Sequence, residues 1–198
     1  VVGGVRNRAR KLAYEKQFGK SIVCEVSDAI NVARAIASVR PDAVVHLAGP
    51  SQEQAATDDP LTAYQSTVTA WANILDGVRR SVPRAKVVLA SSWEVYGDTS
   101  NGNPCVETMP CKPTNALGGF KANAEAVAGT YYRNYHLNIS IARAFPYVGA
   151  GMSEISFFGD LARRIQTGGE TLRVAHWNSN WDLLGVSDVV EAYAKLLD

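Results

Sequence analysis

Short apolar runs alternate along this chain with longer stretches in which apolar positions recur every three or four residues. That alternation predicts strands joined by helical crossovers and a mainly parallel sheet. Residues 21–26 read as a strand, after which Asp28 caps a helix with Ile30, Ala33, Ile36 and Val39 on its apolar positions and Pro41-Asp42 at its end. Residues 43–48 read as a buried strand closed by Gly49-Pro50. Asp58-Asp59-Pro60 opens a helix, with proline where its missing N–H costs nothing, and Leu61, Tyr64, Val68, Trp71, Leu75 and Val78 form one stripe along it. A strand at 85–91 follows. Residues 98–114, rich in Gly, Asn, Pro and Thr, form a long loop of the kind that serves a site. A helix over 115–135, a buried strand at 138–143, a helix around 155–165, a strand-like run at 171–174 and a last helix over 188–197 complete the pattern. There is no internal repeat and no low-complexity segment.

The 198 residues are 46% hydrophobic and 20% charged, enough for one sizeable core, and a single domain over 1–198 is the expectation. A net charge of +1 gives no field that would favour nucleic acid or an anionic membrane. Cys24, Cys105 and Cys111 are odd in number and lack paired metal spacing, while His46, His136 and His176 are scattered. Reduced thiols, no metal site and a cytoplasmic setting follow as expectations. No run approaches the ~20 apolar residues of a membrane span, and no basic-then-apolar leader opens the chain. A start at Val1 rather than Met suggests a processed, truncated or incompletely defined beginning. The basic cluster Arg6, Arg8, Arg10 and Lys11 reads as a solvated helix face or, alternatively, as a contact for a cofactor phosphate.

The strand and turn Val87-Val88-Leu89-Ala90-Ser91-Ser92-Trp93-Glu94-Val95-Tyr96-Gly97 is followed by Pro113-Thr114-Asn115-Ala116-Leu117-Gly118-Gly119-Phe120-Lys121. With Pro41 to Gly49, Pro60-Leu61 and Tyr64, Arg143-Ala144-Phe145 before Gly149-Ala150-Gly151, and Trp181-Asp182-Leu183 before Val186 to Val190, this order resembles the extended short-chain dehydrogenase/reductases. These are NAD-dependent epimerases, dehydratases and 4-keto reductases of nucleotide sugars. Among their branches the GDP-6-deoxy-4-keto-mannose reductases and GDP-mannose dehydratases look most similar. The resemblance implies an α/β fold, a Rossmann-like doubly wound parallel sheet, here without the first strand and its glycine-rich loop and without most of the C-terminal substrate domain. Residues from about 144 on would belong partly to what remains of that domain.

Val1-Val2-Gly3-Gly4 is then either the family's second strand, the preferred reading, or a remnant of the first. The first strand is central in the doubly wound order, so its loss leaves unpaired edges on both neighbours. A rearranged N-terminus, a neighbouring chain or closure of the gap would have to compensate.

In the family Ser or Thr, Tyr and Lys handle the proton that accompanies hydride transfer. The resemblance places Ser92, Glu94 and Lys121 at the catalytic positions, with Leu117 where Tyr stands. It places Glu25, Val26, Leu47, Ala48, Gly49, Thr67, Lys121 and Ala144 around NAD or NADP. Tyr96 or Glu94 would replace the phenol only for a rotated substrate. Thr67, Ala70-Trp71, Pro146 and Trp181 also depart from the family's Asn, Gly-Thr, Asn and Arg. Bland readings stand beside these: Lys121 as a surface or helix-dipole lysine, Ser92 as a satisfied strand-end hydroxyl, and Trp71, Trp93 and Trp181 as packing residues.

Three functions follow as expectations. The first is an NAD(P)-dependent epimerase, dehydratase or 4-keto reductase acting on a sugar nucleotide. The second is a non-catalytic binding or scaffold protein, a homo-oligomer pairing strand edges or long helices. The third is a lyase or hydrolase with Glu94 as base. No nucleic-acid or membrane partner is expected.

Overall fold

The computed structural model describes residues 1–99, 102–154, 156–168 and 181–198. They fall into two compact units, Val1–Arg143 and Ala144–Leu196. The strand-like run at 171–174, His176 and the Ile155 end of the expected helix lie outside the described residues.

The first unit opens with β1 (Gly3–Val5), α1 (Arg8–Phe18) and β2 (Ser21–Val23), and the two strands pair in parallel from Gly3 against Ser21 to Val5 against Val23. Asn7 caps α1 by accepting from the Arg10 N–H. Asp28 likewise accepts from the N–H groups of Ile30 and Asn31 at the head of α2 (Ala29–Val39). That stands as its role: it satisfies donors that a helix start leaves open.

β3 (Ala43–His46), β4 (Lys86–Ala90) and β5 (Asn138–Ala142) form a second parallel sheet in the order β3-β4-β5. Between β3 and β4 run α3 (Glu53–Asp58), α4 (Pro60–Tyr64), a π-helical turn at Gln65–Thr69 and α5 (Ala70–Ser81). Asp59 caps α4, whose first residue is Pro60. The predicted stripe faces inward only from Val68 on: Trp71, Leu75 and Val78 are fully buried with Val87 and Leu89 of β4 and with Val32 and Ile36 of α2, whereas Leu61 and Tyr64, at 66% and 41%, are exposed. The 20-residue α6 (Ala116–Tyr135) closes this core through Ala124 and Ala128.

The gap between the two sheets is where the sequence places a missing strand. Among the described residues β1 pairs only with β2, and β3 only with β4 on one side. A strand lying between the two sheets would bond to both β1 and β3.

The second unit holds β6 (Tyr147–Val148) paired in parallel with β7 (Leu184–Gly185), α7 (Phe157–Thr167) capped by Ser156, and α8 (Val186–Lys195). Neither short strand is visible in the hydrophobic pattern, because a two-residue strand carries no alternation.

Candidate active site

Lys121 is 7% exposed, so it is not a surface lysine. Its Nζ donates to the Ala90 carbonyl at 2.7 Å, at the end of β4. Burial pulls its pKa down to about 8, against the opposing pull of the Glu94 and Glu125 carboxylates. Ser92 leaves β4 as the cap of a 3-10 turn at Trp93–Tyr96, accepting from the Glu94 N–H, and its hydroxyl donates to Glu94 Oε2 at 3.1 Å. Glu94 Oε1 accepts from Asn115 Nδ2 at 3.1 Å, and Asn115 Oδ1 caps α6 through the Gly118 N–H at 2.8 Å. Ser92, Glu94 and Lys121 therefore gather where β4 meets the start of α6.

Leu117, one turn before Lys121, is 3% exposed and packs with Ala56 and Ala63. Tyr96 offers no loose phenol: its ring is buried beneath the Arg143 guanidinium, 4.9 Å from the ring centroid. Arg143 also meets Glu125, with Nη2 to Oε2 at 2.7 Å, and Glu125 Oε1 accepts from the Ser91 hydroxyl at 2.5 Å. Arg143 Nη1 donates to the Glu107 carbonyl and Nη2 lies 3.3 Å from Cys111 Sγ, which ties the loop before α6 to the sheet. Burial, with the Glu125 carboxylate next, pushes the Cys111 thiol up. Reading for the triad alone missed Glu125. The available signal was its place four residues after Lys121, on the same helix face.

His46 Nε2, Thr67 Oγ1 and Trp71 Nε1 are buried polar atoms with no hydrogen-bond partner among the described residues. The Trp71 ring centroid is 6.0 Å from Lys121 Nζ. Burial, helped by the Lys121 charge, depresses the His46 pKa to about 4, so its imidazole is neutral at pH 7.

The expected cofactor residues divide. Glu25, Val26, Leu47, Ala48 and Gly49 all line a cleft of about 1130 Å³ between β1 and β3. Glu25 accepts from Arg6 Nε at 3.1 Å and from Ser27, and these bonds outweigh burial and lower its pKa. The Val26 carbonyl accepts from Asn73 Nδ2 at 2.9 Å, which fastens the turn after β2 to α5. Thr67 is buried in the π-helical turn, beside Gly49. Ala144 belongs to the second unit, where Trp181 stacks on Phe157 with ring centroids 6.2 Å apart and is 44% exposed.

The family model for the NAD dependent epimerase/dehydratase family matches residues 2–198. The chain belongs to that family. UDP-glucose 4-epimerase 2 of Oryza sativa subsp. japonica is 32% identical over 145 residues, 73% of this chain and 33% of the relative. GDP-6-deoxy-D-mannose reductase of Pseudomonas aeruginosa is 28% identical over 163 residues, 79% of this chain and 54% of the relative. The crystal structure of the Thermus thermophilus UDP-glucose 4-epimerase in complex with NAD superposes with a TM-score of 0.80 at 24% identity, over 91% of this chain and 61% of that one, and so shares the fold. The chain thus spans about a third to a half of the curated relatives it matches.

Glu25, Val26, Leu47, Ala48 and Gly49 stand on the cleft wall, and the Ser92 hydroxyl and the Lys121 ammonium donate to Glu94 and to the Ala90 carbonyl. Residues 1–198 contain no Gly-x-x-Gly-x-x-Gly turn, and Gly3 and Gly4 lie inside β1. Among the described residues no three of His, Cys, Asp and Glu group as metal ligands, and no helix is long and apolar enough to cross a membrane.

Proposed function

We propose that this chain is the core of an NAD(P)-linked nucleotide-sugar protein of the epimerase, dehydratase or 4-keto reductase type, in which binding outlasts catalysis. Lys121 and Ser92 supply hydrogen bonds to a ribose and a sugar oxygen, and residues from 144 on contribute to the sugar-nucleotide side. Leu117 replaces the phenol that would carry the proton, and loss of one positioned acid or base slows a reaction by about 10²–10⁴. The observation that carries this reading is the pairing of a buried Lys121 on the Ala90 carbonyl with a Leu117 packed against Ala56 and Ala63.

The burial of Leu117 also favours a second reading, a non-catalytic binding or scaffold protein that reuses the fold. Purified chain mixed with NADPH and a 4-keto GDP-sugar separates them from ordinary family activity. The expected result is no measurable NADPH oxidation, and Leu117→Tyr alone does not restore it. Turnover at tens per second by the unmodified chain would overturn both readings.

A further inference from the structure

A hydroxyl has one proton to give and two lone pairs to offer, so the partners already bound to Ser92 decide what it can still do. Its proton goes to Glu94 Oε2 at 3.1 Å, because an ionised carboxylate only accepts. One lone pair takes the Glu94 N–H at 3.3 Å. Among the described residues, what remains on Ser92 is a lone pair and no donor.

Glu94 is held at its other oxygen as well, where Oε1 accepts from Asn115 Nδ2 at 3.1 Å. Asn115 cannot turn its amide round. Its Oδ1 has to face the Gly118 N–H, 2.8 Å away, to cap α6, and that leaves Nδ2 for Glu94. The backbone is pinned too: the Glu94 carbonyl accepts from the Gly97 N–H at 3.2 Å and lies against Gly118. A helix cap thus sets the direction of a hydrogen bond two partners away.

Neither of the neighbouring family positions makes up for the spent proton. Leu117 has none to offer, and Lys121 Nζ is turned to the Ala90 carbonyl, two residues before Ser92, with the Trp71 ring centroid 6.0 Å away. Ser92 and Glu94 therefore present acceptors. A ketone oxygen meets lone pairs there, whereas an alcohol brings its own proton and donates it.

We propose that this site selects a sugar nucleotide carrying a hydroxyl where Ser92 and Glu94 meet the sugar, and rejects the corresponding ketone. Glu94 determines the choice, and Asn115 is the residue that positions Glu94. The hydrogen bond between Ser92 and the sugar oxygen then runs from ligand to protein. This selectivity rests on the nucleotide-sugar reading above and narrows it to the alcohol form of the ligand.

Calorimetric titration of the 198-residue chain with GDP-6-deoxymannose and with its 4-keto form compares ligands that differ only in the oxidation state of C4. The alcohol is expected to bind at least about tenfold more tightly, since a site built around a ligand hydroxyl discriminates against an analogue without one. The 4-deoxy-4-fluoro analogue, which cannot donate, should fall with the ketone. Glu94→Gln keeps the shape and reverses the polarity: with Asn115 fixed, the new amide turns its oxygen to Nδ2 and its NH2 to Ser92, whose proton is then free for a ketone. The alcohol-to-ketone affinity ratio should drop by about tenfold or more. Adding Asn115→Ser, which keeps a cap on α6, lets that amide turn round and should bring back part of the preference. A merely structural Asn115 would leave the ratio where Glu94→Gln put it. Ketone binding as tight as alcohol binding in the unmodified chain overturns the selectivity and leaves the nucleotide-sugar reading standing. Binding of none of the three ligands sinks that reading, and the selectivity with it.

Discussion

Gly118 lies against the carbonyl of Glu94 with no room for a side chain: a Cβ on Gly118 would stand 2.5 Å from that oxygen. This contact lets the first turn of α6 press onto the turn after β4, and so brings Lys121 to the Ala90 carbonyl. Elsewhere in a helix, alanine for glycine gains up to about 1 kcal/mol of propensity. Here the neighbour is backbone and cannot yield, so Gly118→Ala should destabilise by about 1–3 kcal/mol in urea unfolding, whereas Gly119→Ala, with open space around it, should be neutral or stabilising. Equal effects at the two positions would refute the close packing.

His46 should remain neutral far below the pH at which an ordinary imidazole charges. Its folded pKa is about 4 against 6.5 for the unfolded residue, so between those values the unfolded chain binds the extra proton. Stability from this group is complete above pH 6.5 and is lost as pH falls towards 4, by up to about 3 kcal/mol. NMR titration of the imidazole checks it: a His46 midpoint near 6.5 would contradict the burial argument, while exposed His136 serves as an internal comparison.

Lys121 shifts stability at the alkaline end. Its folded pKa of about 8 lies below the ordinary 10.5, so folding disfavours the charged form and stability rises from pH 8 to 10.5 as the unfolded chain alone holds the proton. Lys121→Met should remove that rise, seen as a flatter difference in melting temperature against wild type over this window. An identical pH profile in the two proteins would place the ammonium in water.

The Arg143–Glu125 pair is partly buried, at 19% and 9% side-chain exposure. Arg143→Met strands the Glu125 carboxylate and should cost about 3–5 kcal/mol, while the double change with Glu125→Gln should recover much of it. Urea unfolding of the four proteins in this cycle measures the coupling. Additive losses would mean that the pair is solvated.

Sequence pattern located most helices and strands of the first unit to within a few residues, because their signals are local: Asp28 and Asp59 as caps, Pro60 at a first helical position, and the stripe from Val68 to Val78; the short α3 and the π-helical turn at Gln65–Thr69 carry no such signal. The order of motifs likewise puts Ser92 and Glu94 on the turn after β4 and Lys121 in the second turn of α6. Glu125, Asn73 and the tie from Arg143 to the loop at Glu107 were not legible, since each contact joins residues far apart in the chain.

What the sequence determined by itself was the family, the parallel α/β pattern and the leucine at 117, all of which are statements about which residue stands where. What only the tertiary structure decided was the fate of the open sheet and the state of the lysine. Whether a gap closes depends on competing long-range packing: α2 and α5 hold their strands through the core, and β1 and β3 stay apart. A pKa depends on burial and on neighbouring charges, which no spacing along the chain encodes.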